Sequence, residues 1–417
     1  QRTRGAGVGL MATASQTALA LDFPILEQEG LVYLDSAATS QKPRVVLDAL
    51  EDFLAHHNAN VHRGVYPLAI DADTRFSAAR AQIAAFVGAE PAETIITKNA
   101  TEAINLVRYS WGPQNVGAGD AIVLTEAEHH SNIVPWQQLC EEVGAELRWL
   151  EVDDEGMISL GQLDEFLADG RVKMVAVTHC SNVLGTINPV EEVVARARAA
   201  GAASLIDGSQ AVPHMAVNVD AIGADFYVWT GHKAYGPTGI GLLHGRRELL
   251  EAMPPFLTGG DMIKTVSFEA TTFNELPFKF EAGTPPIAET VALGAAVDFI
   301  SGLGIDRVRA HEEAITAYAL SQLQAIPGLT VQGPPLAQQR GGLVSFTLDC
   351  AHPHDVAEIL GRDQVCVRAG HHCTQPLMKK LGLGATTRAS FAVHNSTDDV
   401  DALVGSLGNV IEIFGES

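Results

Sequence analysis

The sequence predicts an α/β protein: a large unit on a mostly parallel sheet with helices on both faces, then a smaller α+β unit. Three observations carry this. Short apolar runs of strand length alternate with helix-period segments over roughly 200 residues, the pattern of strands buried on both faces and joined by crossover helices. Residues with chemical potential fall just after those runs, where open α/β sheets bind ligands. Near residues 280–290 Gly and Pro cluster in FEAGTPPIAET, and a different order of elements follows.

From Leu31 onward, AIVL (121–124), VKMVAV (172–177), ASLI (203–206), DFYVW (225–229) and GIGLL (239–243) read as buried strands. Between them VEEVVARARAAG reads as a helix, because Val190, Val193, Val194 and Ala197 recur at i, i+3, i+4 and i+7. KNATEAINLV (98–107) reads as a helix start. Beyond the 280–290 break come a long helical stretch, then GLVSFTLD (342–349), a helix from His354, VCVRAG (365–370), TRASFAVH (387–394) and a terminal helix from Thr397. The expected division is a large domain over 31–290 and a small one over 291–417. Met11 reads as the natural start, residues 1–10 as an upstream extension, and 11–30 as a segment packing near the small domain.

Composition narrows the function. The chain has 417 residues, 47% of them hydrophobic and 18% charged, enough apolar material for two or three domains of ~150 residues. No stretch approaches the ~18 consecutive apolar residues of a membrane span. The net charge of −23 disfavours a nucleic-acid partner, because phosphate binding needs clustered Lys and Arg. Five cysteines without a C-x-x-C pair indicate neither a disulfide framework nor a zinc ribbon, and fit a reducing cytoplasm.

The chemistry concentrates in two places. After the 203–206 run comes DGSQA, with Asp207 and Gln210; after 225–229 comes TGHKAYGPTGIG, with Lys233 between Gly-rich turns. A lone G-H-K fits a surface-loop lysine better than a Schiff-base lysine. Together with an acid at Asp207 and a helix N-terminus at Ala100–Thr101, it forms the set that pyridoxal phosphate needs: an amine, a partner for the pyridine nitrogen and a phosphate cup. The second place is VRAGHHCTQPL (367–377), where His371 and His372 precede Cys373. These residue types alone allow a metal site, a nucleophile or a buried thiol in a loop.

At this point the sequence resembles the cysteine desulfurases, class V aminotransferase-like enzymes of fold type I, and within them the Suf-type (group II) branch. The resemblance runs from Leu31 to the end through YLDSAATSQKP (33–43), NVHRGVYPL (60–68), EHHSNIVPWQ (128–137), HCSNVLGTINP (179–189), DGSQAV (207–212), TGHKAYGPTGIG (230–241), FEAGTP (280–285), RAGHHC (368–373) and TRASFAVHN (387–395). It implies a seven-stranded, mostly parallel sheet in the large domain and pyridoxal 5′-phosphate as cofactor. Lys233 would bond the cofactor, Asp207 would pair with the pyridine nitrogen, Gln210 with the ring hydroxyl, and His129 would stack on the ring. Ala100, Thr101, Thr230 and His232 would cup the phosphate, completed by Thr284 of a second subunit, so the resemblance implies a homodimer with shared sites. Family members often read Gly-Thr-Thr where this chain has Asn99-Ala100-Thr101; position 100 would lend only its N–H. Asn182, Arg368 and Arg388 would hold the substrate carboxylate, and Cys373 would carry a persulfide.

The implied reaction turns L-cysteine into L-alanine and passes sulfur to a carrier protein for iron–sulfur cluster assembly. The carrier would be SufU-like or SufE-like, with His354 of AHPHDVAEIL (351–360) a ligand to a SufU-like partner's zinc or simply a helix-start residue. Selenocysteine lyase and cysteine sulfinate desulfinase activities remain alternatives on the same scaffold. A non-catalytic metal-binding scaffold using HPH (352–354) and HHC (371–373) would leave Lys233 and Asp207 without a purpose.

Overall fold

The structure, a computed structural model, describes residues 22–415. The expected start at Met11 and the extension 1–10 lie outside the described residues. Of the segment 11–30, the described part places Phe23 in the core against Tyr235, Phe299 and His394.

The first strand among the described residues, β1 (Val32–Tyr33), is two residues long and pairs far downstream. The main sheet follows: β2 (Thr94–Thr97), β3 (Ala121–Thr125), β4 (Glu146–Leu150), β5 (Val172–Thr178), β6 (Ala203–Asp207), β7 (Phe226–Thr230) and β8 (Gly241–Gly245), in the order β2-β8-β7-β6-β5-β3-β4. β8 runs antiparallel to both neighbours and every other pairing is parallel, so the sheet is seven-stranded and mostly parallel as expected.

The central strands are mostly apolar because both faces are covered. Successive side chains alternate between two cores: Val123, Val175, Tyr227 and Trp229 on one face, Ile122, Met174, Phe226 and Val228 on the other. Helix Val190–Ala199 buries Val190, Val193, Val194 and Ala197, the stripe read from their spacing. Helices Pro67–Phe86 and Ile287–Leu303 pack into the same core.

An exposed hairpin, β9 (Ile263–Val266) and β10 (Thr271–Phe273), precedes the second unit. There β11 (Leu329–Gln332), β12 (Leu343–Leu348), β14 (Arg368–Gly370) and β15 (Thr386–Ser390) form an antiparallel sheet in the order β11-β12-β15-β14. β13 (Val365–Cys366) pairs instead with β1. The run VCVRAG is therefore two strands in two sheets, not one. A separate core of Val344, Phe346, Leu360, Ala389, Val400 and Leu403 sits between this sheet and its helices. The helix expected from His354 starts at Pro353, a position that tolerates proline because its N–H would be unbonded, with His352 capping through its side chain.

Candidate active site

Three strand ends and one helix start converge on a cavity of about 220 Å³. Asp207 is the last residue of β6, Thr178 of β5 and Thr230 of β7; a short turn, Gly231–Lys233, carries the lysine next to them. Helix Ala100–Ser110 begins over the first residue of β8. A Cβ on Gly241 would lie 2.4 Å from Asn99 Cα, so only glycine lets strand and helix start cross there. Asn99 caps the helix by accepting the Glu102 N–H, and Asn99, Ala100 and Thr101 all line the cavity. The first N–H groups of a helix have no partner within it, and its dipole adds positive potential, so this wall suits an anion.

Burial sets the protonation of the groups inside. Desolvation pushes the Lys233 ammonium down to about 8; Asp207 opposes that shift and Arg388 adds to it. Asp207 accepts the Ser209 N–H at 3.0 Å through one oxygen, and the other oxygen has no hydrogen-bond donor among the described residues. A buried carboxylate with a free oxygen suits a protonated ring nitrogen. His129 Nδ1 accepts the Ser131 N–H at 3.1 Å; an amide can only donate, so the ring proton sits on Nε2. Burial, then Lys233, lowers the His129 pKa to about 4, which leaves a neutral, flat imidazole beside the lysine. His232 is likewise lowered to about 4 by burial. Its carbonyl accepts from the Ser40 N–H (3.0 Å) and from Lys42 Nζ (3.0 Å), fixing the turn that bears Lys233. Gln210 Nε2 donates to the Ala37 carbonyl at 2.7 Å.

Arg388 is 2% exposed. Its Nη1 donates to the Asn182 carbonyl at 2.7 Å and its Nη2 to Asp35 Oδ1 at 3.1 Å, leaving the second hydrogen of each Nη for a ligand. Arg368 lies directly across the β14–β15 ladder from it.

Cys373 is a free, exposed thiol at the cavity mouth. His372 and Cys373 are both left-handed, φ 51° and 59°, a conformation costing a side-chain-bearing residue about 1–3 kcal/mol. Three bonds hold it: Asn182 Nδ2 to the His372 carbonyl (2.7 Å), the His130 N–H to the Cys373 carbonyl (2.8 Å), and His372 Nε2 to the Thr386 carbonyl (3.1 Å). Burial drives His372 down to about 3, so it is a neutral anchor. Outside the loop lies a second pocket, bordered by His130, His352, His354 and His371 and sharing Arg368, His372 and Cys373 with the first. Among the described residues no group of three His, Cys, Asp or Glu side chains could hold a metal ion.

Of the residues singled out in the sequence, Ala100, Thr101, His129, Asn182, Asp207, Gln210, Thr230, His232, Lys233, Arg368, Cys373 and Arg388 all line one cavity. Thr284 does not: it is exposed, outside it. His354 is exposed beside the outer pocket.

Among the residues that sequence reading passed over, four bear on the site. Asp35 pairs with Arg388, and Cys180 and Ser209 also line the cavity. Glu128, fully buried, accepts from Thr125 Oγ1 (2.7 Å), Asn132 Nδ2 (2.7 Å) and the Thr178 N–H (2.9 Å), tying the loop before His129 to the ends of β3 and β5. Burial raises its pKa to about 7. The sequence offered little signal, because Glu128 is one of two acids in the polar segment TEAEHH that follows an apolar strand.

The buried hydroxyls of Ser209 and Thr230 have no hydrogen-bond partner among the described residues. With an acid, an amine and a helix start around one cavity, they fit a phosphorylated, nitrogen-bearing cofactor. Residues 32–403 match the class-V aminotransferase family, and the chain belongs to that family. A protein of Streptomyces coelicolor named "Probable cysteine desulfurase" is 50% identical over 95% of this chain and 97% of its own length. One of Haloferax volcanii named "Cysteine desulfurase" is 46% identical over 95% and 97%. The apo structure of cysteine desulfurase from Thermococcus onnurineus NA1 superposes with a TM-score of 0.90 at 38% identity, covering 95% of this chain and 98% of that one.

Proposed function

We propose that this chain is a cysteine desulfurase that converts L-cysteine to L-alanine and retains the sulfur as a persulfide on Cys373. One observation carries the reading: an exposed thiol on a pinned left-handed turn at the mouth of the cavity that holds Lys233 and Asp207. A transaminase of the same family has no use for a thiol there, and a metal scaffold has no use for the buried amine.

The cofactor is pyridoxal 5′-phosphate, held by Lys233, Asp207, Gln210 and His129 at the ring and by Ala100, Thr101, Thr230 and His232 at the phosphate. When bound it supplies an electron sink that makes the substrate's Cα proton acidic. Arg388, with Asn182 and Arg368, binds the substrate carboxylate, a bidentate task suited to guanidinium. Lys233 Nζ, its pKa lowered by burial, is the base for the Cα proton near neutral pH. Cys373 Sγ attacks as thiolate: the S–S bond forms, the Cβ–S bond of the substrate breaks, and Cβ takes up a proton to give alanine. His129 stays neutral at working pH and adds no charge beside Lys233.

The exposed position of Thr284 supports a homodimer in which each subunit completes the other's phosphate cup. The two units, 31–290 and 291–417, are proposed to meet at this site, the first supplying Lys233 and the second Cys373. The sulfur leaves in the cytoplasm for iron–sulfur cluster assembly through a carrier of the SufU-like or SufE-like kind, as in the Suf-type branch. His354 beside the outer pocket, its ring 5.3 Å from that of His352, favours the zinc-bearing SufU-like carrier.

The direct test is Cys373→Ser. The variant keeps the cofactor and still changes its visible spectrum on adding L-cysteine, yet forms no persulfide. Alanine and sulfide released from L-cysteine at the wild-type rate would remove Cys373 from the mechanism.

A further inference from the structure

The phosphate wall of the cavity has donors but no cation. Ala100 and Thr101 offer a helix start, whose dipole is equivalent to about half an elementary charge. Thr230 adds a hydroxyl and His232 a neutral imidazole. Three Lys or Arg side chains line the cavity, each with another task in the proposed function. Lys233 bonds the cofactor and serves as base, while Arg368 and Arg388 take the substrate carboxylate. A phosphate monoester carries about −1.5 to −2 at pH 7, so this wall leaves most of that charge unanswered.

Behind the wall stands a cation without an anion. Lys42 is half-buried and does not line the cavity. Its ammonium donates to the carbonyls of Ser40 and, at 3.0 Å, His232, and no carboxylate pairs with it among the described residues. Burying an ammonium without a counter-charge is unfavourable. Burial alone draws the Lys42 pKa down to about 8, which still leaves it charged at pH 7. Bracing the turn does not account for that cost. The same His232 carbonyl already accepts from the Ser40 N–H (3.0 Å), Ser40 Oγ (3.1 Å) and Thr39 Oγ1 (3.1 Å), all neutral donors. The field of Lys42 reaches the wall: after burial and Lys233, it is the next influence that lowers the His232 imidazole.

We propose that Lys42 is a cofactor-binding residue that acts through space, a charge set behind His232 that answers the phosphate of the bound cofactor. An anion site with no cation and a cation with no anion complete each other once the cofactor is in place. The neutral donors orient the phosphate, and Lys42 supplies attraction. A residue that only braced the turn would hold a cofactor equally well with or without its phosphate. A counter-ion favours the phosphorylated form.

This rests on the phosphate cup of the proposed function, and the experiment separates the two. Cofactor is removed from the full chain, and Kd is measured by visible absorption for pyridoxal 5′-phosphate and for pyridoxal, which lacks the phosphate. The proteins compared are wild type, Lys42→Met, Lys42→Gln, which keeps a donor without the charge, and Lys42→Arg, which keeps the charge. Wild type that binds the two ligands alike overturns the cup, and this proposal with it. With a phosphate preference in wild type, that preference falls roughly tenfold in the Met and Gln variants, the order expected of one elementary charge acting on a phosphate across a partly buried site. The Arg variant stays near the wild-type preference. A preference unchanged in both neutral variants, whether or not the two ligands weaken in parallel, overturns the proposal and leaves Lys42 a brace. Cooperative thermal unfolding near the wild-type temperature shows that the variants compared are folded.

Discussion

Arg388→Ala tests both how the substrate is held and how the site is built. The truncation removes the guanidinium that donates to Asn182 and Asp35 and, in the proposed complex, to the substrate carboxylate. A hydrogen bond to a charged group contributes about 1.5–3 kcal/mol, so kcat/KM for L-cysteine falls roughly ten- to a hundredfold. The loss appears mainly in KM if the pair forms equally in ground and transition states. Stability falls too. Breaking a buried ion pair costs about 3–5 kcal/mol, but the Asp35 side chain is 21% exposed and solvent takes over part of the lost pairing, which puts the loss nearer 1–2 kcal/mol. Burial already raises the Asp35 pKa and Arg388 opposes that rise; without Arg388 it climbs further. A raised carboxyl pKa costs stability only while the group is forced to ionise, so the penalty is full at high pH and fades as pH falls through the folded-state pKa. The assay is steady-state alanine release, plus thermal unfolding of wild type and variant at pH 8 and pH 5. An unchanged KM with unchanged kcat/KM would move the carboxylate site elsewhere, and a stability gap that widens in acid would refute the account of Asp35.

Three further expectations follow from particular contacts. Lys233→Ala loses turnover to background while the phosphate cup still retains cofactor, so protein-bound phosphate is measured beside alanine; normal turnover would overturn Lys233 as the base. His354→Ala leaves basal alanine release intact and abolishes stimulation by a SufU-like carrier, whereas equal stimulation of both enzymes would sink the zinc contact. His244 Nε2 accepts from Trp229 Nε1 (2.8 Å), which pins the ring proton on Nδ1, facing Thr94 Oγ1 (3.0 Å), and burial lowers its pKa to about 3. The unfolded chain binds a proton there below about pH 6.5 and the folded chain does not, so this site costs up to about 1.4 kcal/mol per pH unit between 6.5 and 3. His244→Gln therefore flattens the acid limb of stability measured by urea unfolding, and an unchanged slope would refute the assignment.

What could be read from the sequence depended on how each residue is buried. The runs at β3 and β5 to β8 announced themselves because both faces of the sheet are covered and apolar residues dominate each run. β4 escaped as an edge strand: Glu146 and Arg148 sit in it because Arg148 turns to Asp169, so the run ELRWL reads as mixed. β2 is four residues long and owes its place to pairing with β8 almost 150 residues away, which local pattern does not contain. Lys233 and Asp207 were legible since strand ends in such sheets face ligands, and Cys373 since its motif is long. Asp35 and Glu128 were not. Each acts by bonding another side chain, and nothing in the sequence marks which acid meets which arginine or amide across the fold.

The loop of His372 and Cys373 is also a partition. His372 faces both the inner cavity and the outer pocket, and so does Cys373 beside it. On the proposed reading, the amino acid enters by one door and the sulfur departs by another, with a single thiol spanning the wall. Carrier and amino acid then need never share a chamber, and a loaded thiol can wait for its carrier without exposing the cofactor. In kinetic terms that reading makes it a double-displacement enzyme whose two half-reactions are kept apart by the thickness of one buried imidazole.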